Sequence, residues 1–259
     1  MNRPWPAAVL AALTLISSTT AQPALLPGEA LTYRVSWGIF FAAGEIKIFA
    51  EPAPAAIPSG RILNVTTTAT RGFARALYAF DARAEALVEA PTGRLISHVE
   101  TTTTKEKQTR HSTTLDYTKR LALYRDEIEP GRNLDVPLPP GDPLDLIMSL
   151  ITTRQWELKP GEKRDALVLF DQDPYELTIH AVRYEEITTR LGTFQTLVLE
   201  PRMDKTPPKG MFKRGSAVRV WIAQNDPRRL PVKFEVEFKF GSGVATLVAY
   251  QPPAPPTQK

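Results

Sequence analysis

The sequence predicts a mainly antiparallel all-β protein, in which one large curved sheet, a roll or an open barrel wraps one buried helix. About fourteen stretches show β-branched composition or period-two alternation, and glycine or proline clusters separate them. Only residues 142–154 show a convincing helical pattern after the N-terminal segment. Many of the strands are polar on one face, which is typical of an antiparallel sheet with one side in water.

The first half of the chain opens with a strand at residues 31–37, in which alternate side chains share one face. Glycines at positions 38 and 44 are expected to bracket a turn. Residues 71–81 could form a short helical turn or a loop. Six further strands are predicted in this half, at residues 45–50, 61–68, 82–89, 95–103, 108–117 and 120–125.

The predicted helix at residues 142–154 follows a proline-rich stretch, residues 129–141, that cannot sustain a helix or a central strand. Asp142 can cap the helix and Pro143 suits its first turn. Its apolar residues leave little polar surface, so the helix should be buried; they are Leu144, Leu146, Ile147, Met148, Leu150 and Ile151.

The second half returns to strands, of which residues 231–240 show the clearest alternation of apolar and charged side chains. Residues 225–229 are a good turn sequence before it. The other strands predicted in this half are residues 165–171, 175–184, 185–190, 193–200, 217–223 and 244–250.

The N-terminus is typical of a secretory signal. A positive Arg3 precedes a short apolar run at residues 7–16, and small residues follow. A retained anchor is the alternative. We therefore expect a signal peptide at residues 1–21, a single β-rich domain at 22–250 and a proline-rich disordered tail at 251–259.

The chain contains no cysteine, which excludes lipid attachment through a lipobox, disulfides and zinc-thiolate sites. With no later stretch able to span a membrane, the expected location is periplasmic or secreted. The net charge of +4 over 259 residues is too small to indicate a nucleic-acid partner. The oligomeric state is left open.

The residue types that carry chemistry do not form a recognisable catalytic pattern. His98, His111 and His180 lack metal-ligand spacing, so neither a metal nor a cofactor is expected. No nucleophile elbow or phosphate-binding glycine loop is present. The carboxylates that could form an acid and base pair, each also explicable as a cap, turn or surface residue, are Glu45, Asp81, Glu85, Asp142 and Asp145.

Two sets of side chains could contact a ligand. Aromatic residues could line a cup for a lipid or stack on a sugar, although aromatics at such positions are also common in cores; they are Tyr33, Trp37, Tyr78, Phe80 and Trp221. Cations of one loop could contact an anionic envelope surface, or could simply be solvated; they are Arg202, Lys205, Lys209, Lys213 and Arg214.

Five local patterns are informative as an ordered set. They are Gly28-Glu29-x-Leu31-x-Tyr33 with Trp37 and Ala43-Gly44-Glu45; Gly72 with Leu77-Tyr78 and Asp81; Asp142-Pro143-Leu144; Leu191-Gly192-Thr193-Phe194; and Val220-Trp221 with Asp226 and Arg229-Leu230-Pro231-Val232. In order and spacing the set resembles a family of exported bacterial proteins of unknown function, DUF3108. The resemblance implies an envelope location and an all-β fold, without assigned catalytic residues. Asp145 stands where the resemblance would place a small residue.

Three functional hypotheses follow. The leading one is a soluble periplasmic protein that binds or carries a cell-envelope component, a lipid or a glycan, without being an enzyme. The second is a glycan hydrolase or lyase that uses two carboxylates. The third is an envelope assembly or scaffold protein. A polar cleft with paired carboxylates would favour the second, and an exposed apolar patch without a pocket would favour the third.

Overall fold

The computed structural model describes residues 23–55, 57–170, 172–208, 212, 216–238 and 241–255. Over these residues fifteen strands form one sheet, which confirms the mostly β class. The strands are β1 (Ala30–Trp37), β2 (Phe40–Pro52), β3 (Arg61–Thr70), β4 (Phe80–Glu89), β5 (Leu95–Thr104), β6 (Gln108–Asp116), β7 (Leu121–Asp126), β8 (Leu134–Pro137), β9 (Leu144–Asp145), β10 (Lys163–Phe170), β11 (Asp173–Thr189), β12 (Gly192–Arg202), β13 (Ala217–Ala223), β14 (Pro231–Phe238) and β15 (Gly241–Gln251).

The sheet consists of two meanders that meet at its centre. Strands β1 to β8 pair in sequence order, as do β9 to β15, and β15 pairs with β1. Strands β8 and β9 are therefore the two edges, and the sheet is not closed by hydrogen bonds between them. The β9–β10 pair is parallel whereas the other neighbours are antiparallel, so the sheet is mixed rather than purely antiparallel.

Residues 138–143 connect the two edge strands directly, and we call this segment the seam. Arg120 fixes it, because its guanidinium Nη2 donates hydrogen bonds to the carbonyl oxygens of Pro139 and Gly141, the latter at 2.9 Å. Charge-assisted bonds to two backbone carbonyls restrain a segment that belongs to no strand.

The predicted helix is shorter than its sequence pattern. Helix α2 covers Leu146–Thr152, followed by a 3-10 turn at Thr153–Gln155. Leu144 and Asp145 are paired with β10, which keeps the backbone extended up to Asp145. The cap is therefore Asp145, whose Oδ1 accepts from the Met148 amide at 3.0 Å; the prediction that Asp142 caps the helix was wrong.

Helix α2 lies between two hydrophobic clusters. Met148 and Ile151 belong to the larger cluster, which includes core residues of both meanders. Leu146 and Leu150 belong to a second cluster built mainly on β10 to β13. The apolar residues that form the wide stripe in the sequence therefore pack into two different clusters, on two sides of one short helix.

The C-terminal end of this helical region is bound by a turn that is distant in sequence. Arg229 donates from Nε to the Arg154 carbonyl at 2.8 Å and from Nη2 to the Trp156 carbonyl at 2.9 Å. The hydroxyl of Tyr33 donates to the Pro231 carbonyl at 2.7 Å, next to the same turn. The two Arg229 bonds satisfy carbonyl groups at the end of the helical region, where intrahelical partners are missing.

Several other boundaries differ from expectation. Residues 175–184 and 185–190 form one long strand, β11, with an irregularity between Ala181 and Arg183. Gly44 lies within β2 rather than in a turn. A second helix, α1 (Gly72–Leu77), confirms the helical alternative for residues 71–81, and a further 3-10 turn spans Pro130–Arg132.

The two ends of the chain are only partly described. The predicted signal peptide, residues 1–21, and residues 256–259 of the predicted tail lie outside the described residues. The first part of that tail contacts the N-terminal region, since the Ala254 amide donates to the Pro27 carbonyl at 2.9 Å.

Candidate functional site

A cavity of about 780 Å³ opens beside the seam, between the β4–β5 turn, the end of α2 and strand β10. We call it the seam cavity. Its polar lining comes from all of these elements, and its apolar lining from alanine, leucine and proline side chains and Trp156. The polar and charged side chains that line it are Thr92, Arg94, Asp142, Thr152, Gln155, Arg164, Asp165 and Glu176.

Arg94 enters the cavity from the turn between β4 and β5. Its Nη2 donates to Glu89 Oε1 at 2.7 Å, and its guanidinium lies 4.6 Å from the centre of the Tyr117 ring. The hydrogen bond to Arg94 holds the pKa of Glu89 below its usual value. The Nε of Arg94 is buried and has no hydrogen-bond partner among the described residues, whereas the side chain as a whole is 38% exposed and lines the cavity.

A second unsatisfied polar group comes from the helix. Thr152 Oγ1 is also buried and also lacks a partner within the described part of the chain. Buried polar groups normally form hydrogen bonds, so Thr152 Oγ1 and Arg94 Nε are two unsatisfied groups in the wall of the cavity.

Arg164 and Asp142 are the exposed charges of the cavity. The Arg164 guanidinium stacks 4.6 Å from the centre of the Trp156 ring, which orients it without a carboxylate. Neither Arg164 nor Asp142 forms a hydrogen bond or ion pair with another described residue. The cavity therefore presents one oriented cation and one carboxylate to solvent.

The two carboxylates on the β10–β11 side are already ion-paired with one shared lysine. Lys205 Nζ donates to Asp165 Oδ2 at 2.9 Å and also to Glu176 Oε1. The hydrogen bond from Lys205 lowers the pKa of Asp165, with a further bond from Thr178 Oγ1 at 2.8 Å. Asp165 therefore stays ionised at neutral pH and is unsuited to donate a proton.

The aromatic residues proposed from the sequence fall into two groups. Tyr33 and Trp221 are core residues, 0% and 2% exposed, whereas Trp37 and Tyr78 are exposed. Phe80 is half-buried and stacks on Tyr78, with ring centres 6.2 Å apart. None of the five lines the seam cavity, and their role in ligand binding stays a prediction.

The basic loop is described only in part. Arg202 pairs with Glu200 at 2.7 Å, and Lys205 makes the two contacts given above. Lys209, Lys213 and Arg214 lie outside the described residues, so their contact with an anionic surface also stays a prediction.

The other candidate chemical groups are separated from one another. Glu45, Asp81 and Glu85 each pair with an arginine, namely Arg71, Arg75 and Arg83. Asp145 is buried beneath the helix, where burial raises its pKa and the His98 charge opposes that effect. Over the described residues, no three histidine or carboxylate side chains are placed to hold a metal ion.

Sequence reasoning identified Asp142 but missed Arg94, Thr152 and Arg164. These residues come from a turn, a helix end and a strand that are far apart in the chain, and none belongs to a recognisable motif. The pairing of β9 with β10 places the segments of Thr152 and Arg164 next to each other, and the seam links this edge of the sheet to the meander that carries Arg94.

Comparison with known proteins gives a family and a fold. The model of the family described as "Protein of unknown function (DUF3108)" matches residues 32–248. A β-barrel-like protein of domain of unknown function DUF1849 from Brucella abortus has a TM-score of 0.55 at 10% identity, over 88% of this chain and 98% of its own. At that identity the likeness concerns the fold alone, and it agrees with a large curved sheet.

The remaining comparisons add little. A provisionally assigned lipoprotein from Parabacteroides distasonis has a TM-score of 0.30 at 9% identity, over 89% of this chain and 99% of its own. No curated protein matches the chain. Among the described residues, no helix has the length and apolar character needed to cross a membrane.

Proposed function

We propose that this chain, which belongs to the DUF3108 family of proteins of unknown function, binds a glycan component of the bacterial cell envelope in the seam cavity. We infer this from the geometry of the cavity, and we propose that the glycan is not chemically altered. The observation that carries this proposal is the charged lining of that cavity: Arg164 and Asp142 are exposed there without a partner among the described residues, beside the partly exposed Arg94 side chain.

The size and chemistry of the cavity favour a glycan over an acyl chain. Its volume of about 780 Å³ lies in the range of small-molecule sites. A saccharide carries hydroxyl groups that can donate to Asp142 and accept from Arg94 or Arg164. An acyl chain would instead leave these polar groups dry and without partners, which is unfavourable.

The charge pairing favours binding over hydrolysis. Glycoside hydrolysis uses two carboxyl groups, one of which must hold a proton while the other is ionised. In the cavity Asp165 and Glu176 share Lys205, and only Asp142 is free. One free carboxylate suits recognition of a hydroxyl group better than acid and base catalysis.

The location is proposed with the function. The predicted signal peptide at residues 1–21 and the exported character implied by the family resemblance both support a periplasmic protein, which would meet envelope glycans directly.

Titration with defined glycans tests this proposal, and Trp156 in the cavity wall gives an intrinsic fluorescence signal. The probes are soluble peptidoglycan fragments and delipidated lipopolysaccharide oligosaccharide. We expect one of them to change the fluorescence of the wild type with saturation, and Arg164→Ala to weaken binding by about tenfold through loss of a charge-assisted hydrogen bond.

Two controls make the result specific. Trp156→Phe should bind without the signal, and Arg110→Ala, which removes an arginine paired with Glu127 on the surface, should bind like the wild type. Glycan binding at the seam would be refuted if no probe bound the wild type, or if Arg164→Ala bound as tightly as Arg110→Ala.

A further inference from the structure

One end of the sheet carries a cluster of exposed apolar side chains, which we call the apolar rim. It consists of Trp37, Ile39 and Phe41 on the β1–β2 hairpin and Phe73, Leu77 and Tyr78 on and after α1. Helix α1 buries none of its residues. Phe40 stacks on Phe73 with ring centres 5.8 Å apart, so the hairpin and the helix form one continuous surface.

The rim protrudes rather than forming a groove. Ile39 and Phe41 are each 82% exposed, and Phe73 is 65% exposed. Contiguous exposed apolar side chains of this kind mark an interaction surface. A protein partner would need a matching pocket for each protruding side chain, whereas fluid hydrocarbon accepts such side chains without a preformed pocket.

A second cavity, of about 370 Å³, lies beside the rim and shares Phe41 with it. Arg34 and Arg190 line it from opposite meanders of the sheet. Ser36 on β1 and Thr246 on the paired strand β15 add hydroxyl groups to the lining. Its remaining lining residues are Thr188, Thr189 and Val248.

The two arginines leave this cavity positive. Neither Arg34 nor Arg190 forms an ion pair with a carboxylate of the described residues. Glu45, which faces Arg34 across the β1–β2 pair, bonds instead to Arg71 at 3.1 Å. Two unpaired guanidinium groups with neighbouring hydroxyls are suited to bind a phosphate group.

We propose that this end of the molecule docks onto the surface of an anionic phospholipid bilayer, with the apolar rim entering the acyl region and Arg34 and Arg190 binding a headgroup phosphate. Trp37 and Tyr78 are amphipathic aromatics, which suit the boundary between headgroups and acyl chains. Lys105 adds a cation next to α1, since its Nζ donates to the Ala76 carbonyl at 3.2 Å. This surface is separate from the seam cavity and does not depend on glycan binding.

Vesicle flotation of the full chain tests the proposal. The vesicles are phosphatidylcholine alone or phosphatidylcholine with phosphatidylglycerol. Wild type should partition onto the mixed vesicles, and high salt should reduce that binding to the level seen on phosphatidylcholine alone. In the double variant Ile39→Ser with Phe41→Ser, partitioning onto both vesicle types should fall about tenfold, because two apolar side chains are no longer transferred from water into the bilayer.

The double variant Arg34→Gln with Arg190→Gln separates the headgroup contact from insertion. The variant should retain the weak binding to phosphatidylcholine. Its preference for vesicles that contain phosphatidylglycerol should fall by about fivefold for each arginine replaced. Tyr184→Ser is the matched control, because Tyr184 is 56% exposed outside the rim, and it should float like the wild type.

Four results would overturn the proposal. One is wild type that stays in solution with both vesicle types. Another is a rim variant that floats as well as Tyr184→Ser. The third is a wild type whose rim mediates self-association, seen as a dimer in sedimentation that the rim variant abolishes. Inorganic phosphate that binds the protein while vesicles do not would assign the arginine pair to a free anion, and would equally refute membrane docking.

Discussion

Glu29 and Arg154 form a buried, bidentate ion pair between the start of the first strand and the end of the helical region. Arg154 Nη1 lies 2.6 Å from Glu29 Oε1, and Nη2 lies 2.9 Å from Oε2. The side chain of Glu29 is 3% exposed, and that of Arg154 is 11% exposed. The Leu26 amide and the Tyr250 hydroxyl also donate to Glu29, so its oxygens are well satisfied. The pair therefore ties α2 to the centre of the sheet.

Breaking this pair should destabilise the fold strongly. Arg154→Met leaves the Glu29 charge buried without its partner, and we expect the free energy of unfolding to fall by about 3–5 kcal/mol. Urea denaturation measures the loss. Arg110→Met is the matched control, because the Arg110–Glu127 pair is about half exposed and should contribute under about 1 kcal/mol. Equal urea midpoints for the two variants would contradict the structural role of Glu29 and Arg154.

Asp145 should give the fold a specific pH dependence. Burial raises its folded pKa above the ordinary value of 3.8, against the effect of His98. Protonated Asp145 is thus favoured in the folded state, so its contribution to stability falls as the pH rises from 3.8 towards the folded pKa. Asp145→Asn keeps a helix cap and removes this titration.

The measurement is the free energy of unfolding of wild type and Asp145→Asn between pH 3 and pH 8. The other carboxylates contribute equally to both proteins, so their effect cancels when the two free energies are subtracted. The variant should gain stability relative to the wild type as the pH rises. A difference that stays constant over the whole range would show that Asp145 has no raised pKa.

Asn64 is a buried amide whose replacement should stabilise the protein. It is 2% exposed and lies on β3 between Ala50 and Ala86 of the neighbouring strands. Neither Nδ2 nor Oδ1 has a hydrogen-bond partner among the described residues. Asn64→Leu should raise the free energy of unfolding by about 1–3 kcal/mol, because it removes an unsatisfied polar group.

The control for this change is Asn133→Leu. Asn133 Oδ1 accepts from the Asp126 amide at 2.8 Å, so its loss should destabilise by about 1 kcal/mol. If urea denaturation showed that Asn64→Leu destabilises as much as Asn133→Leu, Asn64 would have to be satisfied by a bound group.

Arg120 should control the order of the seam. Arg120→Ala removes the donor that holds the Pro139 and Gly141 carbonyls. We expect faster amide hydrogen exchange confined to Leu138, Gly141 and Asp142, the seam residues that are not prolines, and glycan affinity reduced by about threefold to tenfold, since the cavity wall loses its restraint. Lys119→Ala is the control on the neighbouring residue. Unchanged exchange at the seam would show that the connection is rigid without Arg120.

The sequence allowed most strands to be predicted, because local patterning dominates where one face is buried. The alternation around Val232 and Phe234 placed β14 almost to its ends. The start of α2 could not be predicted in the same way. Leu144 and Asp145 have a helical pattern, yet their hydrogen bonds to β10, which is distant in sequence, hold them extended.

The candidate site was predictable only through Asp142. The sequence left open whether Tyr33 and Trp221 face a ligand or the core, and the structure places both in the core. Arg94 and Arg164 meet at the cavity because the two edges of the sheet are joined by the seam. No local pattern encodes this proximity of the two edges, which depends on the curvature of the whole sheet.

Native mass spectrometry of the protein purified gently from a periplasmic extract tests glycan binding at the seam most directly. Ala166 lines the cavity, so Ala166→Trp should fill it, while Ala55→Trp adds the same bulk at an exposed position. We predict a saccharide-bearing species for the wild type and for Ala55→Trp, and an empty but folded Ala166→Trp. A wild type that is reproducibly empty, or an Ala166→Trp variant that retains the same species, would contradict the proposed function.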